Sequence, residues 1–142
     1  MPTRKARASW EGSLQKGAGS IKLESGACEA PYSFGSRFEA GHGTNPEELL
    51  AAAHAGCFAM ALSLALGKAG YAPERIDAEA RVTIEPADGG FAIRSSHIVC
   101  EARVPEIDDR TFAEHAEATK AGCPVSKALA GIEIILDAHL VR

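Results

Sequence analysis

Four cysteines, Cys28, Cys57, Cys100 and Cys123, are the residues of this chain best able to do covalent chemistry. The nucleophilic form of a cysteine is the thiolate, so the useful question is which of the four has a neighbour that stabilises negative charge. Cys123 lies between Gly122 and Pro124, at the expected N-cap of a short helix, where backbone dipoles lower a thiol pKa. Cys57 lies ten residues inside a longer helix, beyond the reach of its N-terminal field. For Cys57 to ionise, a cationic side chain must come to it. On dipoles alone Cys123 is the nucleophile, and Cys57 reads as a small buried hydrophobe on the stripe Leu50, Ala53, His54, Cys57, Met60, Ala61, Leu64.

Cys28 follows Gly26-Ala27 in an expected loop and Cys100 sits in an apolar strand, so neither is given a catalytic role. His54 with Cys57, and His97 with Cys100, pair a nitrogen with a sulfur three residues apart. Positions 54 and 57 share a helix face, but 97 and 100 point to opposite faces of a strand. Neither pair completes a zinc set, and no Cys-x-x-Cys occurs. The run Gly41-His42-Gly43 has no phosphate-loop or dinucleotide pattern around it and reads as a turn. No cofactor and no metal are therefore expected.

The elements that must position these residues follow from periodicity. Ile21 and Leu23 alternate with polar neighbours after a turn at Lys16-Gly17-Ala18-Gly19, giving an N-terminal hairpin. A further short strand is expected within Pro31 to Phe38. Thr44 or Asn45 caps a helix whose first turn holds Pro46, Glu47 and Glu48, and which runs to about Ala69 and stops at Gly70. Ile76, Ala78, Ala80, Val82 and Ile84 alternate strictly with polar residues, and Phe91 to Val104 answers them as a hairpin. Asp108 caps a helix through Lys120, Pro124 to Ala130 forms a short helical piece, and Ile132 to Leu140 is a last strand.

Grouped strands rather than strands alternating with helices indicate an α+β fold with an antiparallel sheet of about six strands. The central helix carries no charge from Leu49 to Leu66 and sits at the lower length limit for a membrane span. It is rich in alanine, its flanks are Pro46-Glu47-Glu48 and Gly67-Lys68, and it reads as a core helix apolar on every face. One sheet covers one side of such a helix, so a second subunit is expected on the other.

At 142 residues the chain suits a single domain, 1–142. It is 46% hydrophobic and 24% charged, which excludes disorder. A net charge of −4, from 15 basic and 19 acidic residues, speaks against nucleic acid as a partner. The basic start has no apolar stretch behind it, so a cytoplasmic, reducing location and no membrane association are expected.

Three blocks carry a resemblance. Ser36-Arg37-Phe38-Glu39, then Gly43-Thr44-Asn45-Pro46-Glu47-Glu48 through His54-Ala55-Gly56-Cys57-Phe58, then Lys120-Ala121-Gly122-Cys123-Pro124-Val125-Ser126 resemble the OsmC/Ohr family. These are the osmotically inducible and organic hydroperoxide resistance proteins, which are thiol-dependent peroxidases. The resemblance runs from Trp10-Glu11-Gly12 to the last strand and is closer to the OsmC branch. It implies an intertwined α+β homodimer whose sheets enclose the central helices. It also implies that Cys57 is the peroxidatic thiol and Cys123 the resolving one, with Arg37 stabilising the thiolate and Glu47 holding the arginine.

The implied chemistry is attack on the O–O bond of an organic hydroperoxide, a sulfenic acid at Cys57, and condensation with Cys123 to a disulfide. A small dithiol or a lipoylated protein is the implied reductant. The resemblance and the dipole argument disagree on the nucleophile, and the resemblance is followed because Arg37 supplies what the helix position of Cys57 lacks. A second reading is a non-enzymatic stress protein that binds an apolar ligand at the dimer interface.

On one straight helix Glu47 and Cys57 are about 15 Å apart along the axis and about 80° apart around it. A glutamate cannot order an arginine beside its own Cys57 across that gap. Antiparallel packing of two such helices about a twofold axis would bring Glu47 near the other chain's thiol. Each site is therefore expected to be shared between subunits, with Arg37 drawn from either chain.

Overall fold

The computed structural model describes residues 1–142. The chain falls into two compact units, Met1–Leu49 and Leu50–Arg142.

In the first unit β1 (Ala6–Glu11), β2 (Ala18–Leu23) and β3 (Glu29–Tyr32) form an antiparallel sheet in sequence order. The expected hairpin is present, but its turn is earlier, because Ala18 and Gly19 already pair with Glu11 and Trp10. Gly19 can lie in a strand here because a Cβ on it would come 2.6 Å from the Tyr32 ring and 2.7 Å from the Trp10 ring. Those rings pack at 5.2 Å.

The strand expected within Pro31 to Phe38 ends at Tyr32, and helix α1 (Phe34–Phe38) takes over. The cause is local. The Ser33 hydroxyl accepts from the Ser36 N–H and the Ser36 hydroxyl from the Ser33 N–H, a reciprocal cap that turns the chain.

Helix α2 (Pro46–Lys68) begins in this unit. Asn45, rather than Thr44, takes the capping role: its Oδ1 accepts from the Glu48 N–H at 2.7 Å. Gly43 sits at φ +122°, and a Cβ there would lie 2.4 Å from the Pro31 carbonyl oxygen, so the loop before α2 can close onto β3.

In the second unit β4 (Arg75–Ala87) and β5 (Gly90–Arg103) form a long antiparallel hairpin, and β6 (Glu133–Leu140) lies parallel to β5. Between β5 and β6 run α3 (Asp109–Gly122) and α4 (Pro124–Ala128), and this crossover allows the parallel pairing. Asp108 caps α3 as expected, its side chain accepting from the Thr111 N–H at 2.7 Å. The single sheet of about six strands is corrected to two sheets of three. The β1–β3 sheet ends where the Ser33–Ser36 cap diverts the chain into helix, and β4, β5 and β6 pair with one another.

The core of the second unit gathers Phe58, Leu62 and Leu66 of α2 with Ile98, Cys100 and Ala102 of β5 and Phe112 and Ala116 of α3. These α2 residues recur every fourth position, with His54 one turn earlier in the same buried row. Of the stripe read from the sequence, His54 is buried within the chain, while Leu50, Cys57 and Ala61 are half-buried and Ala53 is exposed. Met60 is 78% exposed and Leu64 60%, while that row is buried. Helix α2 is long and apolar enough to cross a membrane by length and composition, yet its 54–58–62–66 row is core.

Candidate active site

Of the four residues implied by the resemblance, Arg37 and Glu47 meet in the first unit. The single turn of α1 carries Arg37, and the first turn of α2 carries Glu47. Two contacts fix these elements to each other: Ser36 Oγ donates to the Thr44 carbonyl at 2.7 Å, and Asn45 Nδ2 donates to the Ser36 carbonyl at 2.9 Å. Arg37 Nε and Nη2 then donate to the two carboxylate oxygens of Glu47, each at 3.0 Å. The carboxylate is buried and the guanidinium partly open. Arg37 also lies 5.3 Å from the centre of the Phe38 ring. It lines a cavity of about 270 Å³ with Trp10, Leu14, Tyr32, Phe34 and Phe38.

Cys57 and Cys123 meet in the second unit. Cys57 lies on α2, half-buried and next to the buried row, and Cys123 is fully buried at the junction of α3 and α4. Both are free thiols, close enough that each shifts the acidity of the other, raising Cys57 and lowering Cys123. Burial pushes the Cys57 thiol above its ordinary range. The Val125 N–H works against that, and the neighbouring Cys123 adds to it.

Burial alone would also raise Cys123. Hydrogen bonds from the Ser126 hydroxyl and N–H, the neighbouring Cys57 thiol and a hydrogen bond from the Val125 N–H together outweigh it and hold Cys123 below its ordinary range. Within this one chain Cys123 is therefore the more acidic thiol, the order the dipole argument gives. Cys100 is inert packing in the core, pushed up to about 11 by burial and by the nearby charges of Asp77 and Glu101.

Sequence reasoning did not find what stands behind Cys123. His54 is 0% exposed, and both ring nitrogens are taken by serines. Nδ1 meets Ser96 Oγ at 2.6 Å and Nε2 meets Ser126 Oγ at 2.7 Å. The Ser126 hydroxyl is in turn 3.2 Å from Cys123 Sγ, and the Ser126 N–H donates to that sulfur at 3.3 Å. Two signals were available: a histidine alone in an apolar helix, and a serine three residues after a capping cysteine.

The pairs weighed as metal ligands have other partners. His54 is held by its serines, and His97 Nε2 contacts Asp137 Oδ2 at 2.6 Å.

Two neighbouring free thiols, the buried one held below its ordinary pKa, on an α+β scaffold are the parts a thiol-based redox protein needs. The family profile described as "OsmC-like protein" matches residues 39–137. The chain is 49% identical over 138 residues to peroxiredoxin OsmC of Escherichia coli (strain K12), covering 96% of each. It is 32% identical over 102 residues to organic hydroperoxide resistance protein-like 2 of Staphylococcus epidermidis, covering 70% of each. The crystal structure of the organic hydroperoxide resistance protein OhrB of Bacillus subtilis superposes with a TM-score of 0.71 at 25% identity, over 96% of this chain and 98% of that one.

This chain belongs to the OsmC-like family. It is an enzyme of the peroxidase type, and its greater identity to the OsmC relative agrees with the branch read from its motifs.

Proposed function

We propose that the protein reduces organic hydroperoxides, with Cys57 as the attacking thiolate and Cys123 as the resolving thiol. The observation that carries this reading is the nearness of the two free thiols, each shifting the other's acidity although 66 positions separate them in the sequence. Cys57 attacks the O–O bond, one oxygen stays on sulfur as sulfenic acid, and the alkoxide leaves as alcohol. Cys123 then attacks the Cys57 sulfur, water departs, and the Cys57–Cys123 disulfide is closed. A dithiol, small or protein-borne as a lipoyl group, reopens it by exchange.

Cys57 is raised by its own surroundings, so it needs a cation, and Arg37 is the residue in this reading that supplies it. Glu47 holds the guanidinium by two points, which fixes its plane as well as its position. The aromatic cavity beside Arg37 suits the apolar tail of an organic hydroperoxide.

The working form in this reading is a homodimer in which the two units of each chain act as one domain, 1–142. Met60 and Leu64 lie open on α2, and a Cβ on Gly56 or Gly67 would meet nothing within 4 Å, so the chain's own packing does not call for these glycines. A second α2 packing closely on that face accounts for both. Antiparallel pairing of the helices brings the Arg37–Glu47 pair of one chain toward Cys57 of the other. The cytoplasm, where thiols are kept reduced, is the compartment that suits this cycle.

The test is a thiol count. One equivalent of cumene hydroperoxide should remove two free thiols per chain, with a Cys57–Cys123 cross-link found by peptide mapping. Loss of none would leave a protein whose cysteines are only packed.

A further inference from the structure

Four buried side chains of the second unit form one line: Ser96, His54, Ser126, Cys123. Ser96 and His54 are 0% exposed, Ser126 3% and Cys123 1%. Their hydrogens can be assigned consistently along the line. A neutral imidazole has one donor and one acceptor nitrogen, and a hydroxyl has one proton to give. When Cys123 is an anion it can only accept, so the Ser126 hydroxyl points at sulfur. That leaves the Ser126 oxygen to accept from His54 Nε2–H, and His54 Nδ1 to accept from the Ser96 hydroxyl. Every donor then points toward the sulfur, and hydrogen bonds aligned in this way polarise one another. Burial lowers the His54 pKa, which keeps the imidazole in the neutral form that this line requires.

We propose that His54, backed by Ser96, is a positioning residue that turns the Ser126 hydroxyl onto Cys123 and makes Cys123 the sulfur that departs when a dithiol opens the Cys57–Cys123 disulfide. The inference rests on the disulfide reading above. Reduction starts with a dithiol thiolate attacking Cys57 Sγ, the more accessible of the two sulfurs. A bond forms between the reductant sulfur and Cys57 Sγ, the Cys57–Cys123 bond breaks, and its electron pair passes to Cys123 Sγ. The Ser126 hydroxyl and N–H receive that charge. The second thiolate of the reductant then attacks the first reductant sulfur and releases Cys57. The dithiol ends as a disulfide, having supplied two electrons, and its two protons finish on the two cysteines. A leaving sulfur that is better stabilised as thiolate leaves faster, so the line controls the reductive half of the cycle.

The test follows the Cys123 Cβ signal by NMR in the full-length protein labelled with 13C-cysteine, titrated with pH. The same variants are oxidised, and disulfide opening by dithiothreitol is timed. In Ser126→Ala and in His54→Phe the Cys123 midpoint should rise by about one pH unit, a roughly tenfold loss of thiolate at a given pH. Disulfide opening should slow about threefold for each unit of that rise. Ser126→Thr keeps the hydroxyl and should restore both. Ser96→Ala touches no sulfur and should shift the midpoint by less in the same direction, which a merely structural role would not do. An unmoved midpoint in folded Ser126→Ala and His54→Phe would overturn the proposal, as would a shifted midpoint with unchanged opening rates. If hydroperoxide leaves the disulfide unformed, it is the Cys57–Cys123 reading that fails, while the Cys123 midpoint still decides what His54 does.

Discussion

The Arg37 guanidinium and the Glu47 carboxylate face each other through two hydrogen bonds of equal length, Nε to Oε1 and Nη2 to Oε2, both 3.0 Å. Ten residues separate them in sequence, and the Ser33–Ser36 cap and the Asn45 amide bring them together. A lysine at position 37 would keep the charge and lose the fork, so it is no substitute here. Where this pair acts is decided by subunit mixing. Cys57→Ser and Glu47→Ala chains, each poorly active alone, are combined under conditions that let dimers exchange. A shared site puts both lesions into one site of the heterodimer and leaves the other whole, so activity should return. Verified exchange without recovery would mean that each chain builds its own site.

The two cysteines should fail differently. Cys57→Ser should abolish hydroperoxide reduction outright. Cys123→Ser should complete one turnover and then accumulate sulfenic or sulfinic acid at Cys57, since nothing caps the first oxidation product. Intact-mass spectrometry after one equivalent of hydroperoxide reads this directly as added oxygen. If Cys123→Ser is silent and Cys57→Ser still consumes one equivalent, the roles are reversed, in line with the lower pKa of Cys123.

Bulky organic hydroperoxides should be reduced faster than hydrogen peroxide. The cavity of about 270 Å³ beside Arg37 is walled by Trp10, Tyr32, Phe34 and Phe38, which an apolar tail can contact and hydrogen peroxide cannot. Second-order rate constants for cumene hydroperoxide and hydrogen peroxide make the comparison, and Phe34→Ala should narrow the gap. Equal rates in the parent protein would mean that this cavity does not serve the substrate.

Stability should fall on mild acidification. Burial holds the His54 pKa in the folded protein below its ordinary 6.5. As pH drops below about 6.5 the unfolded chain takes up a proton at His54 that the folded chain refuses, which favours unfolding. The contribution is complete above that value and is lost as pH falls toward the folded pKa. Thermal midpoints measured from pH 8 to 5 should decline in the lower half of the range, with a shallower decline in His54→Phe. Asp77 and Asp108, held below 3.8 by Arg75 and by the Thr111 N–H respectively, lose their contributions only in stronger acid, so the windows separate. A level midpoint down to pH 5 would show that His54 titrates as it does in the unfolded chain.

What the sequence determined by itself is what depends on near neighbours. The alternation of Ile76 through Ile84 settled a strand, since a period of two is a property of the local backbone. Asn45 and Gly70 bound α2, and Gly122-Cys123-Pro124 made Cys123 a cap, because caps and stops act within a few residues. The proposed set of Arg37, Glu47, Cys57 and Cys123 comes from motif blocks, which keep their spacing in the chain.

Tertiary structure alone decided the rest. Helix α2 is apolar on all faces, so no periodicity could say that the 54–58–62–66 row, rather than Met60 and Leu64, would be buried; packing against β5 and α3 chose it. The partners of His54 lie 42 and 72 residues away, and no local rule joins a histidine to serines at that distance. The same holds for the relative acidity of the two thiols. A capping position suggested it for Cys123, but burial opposes it, and the balance tips only because Ser126, Val125 and Cys57 converge on one sulfur.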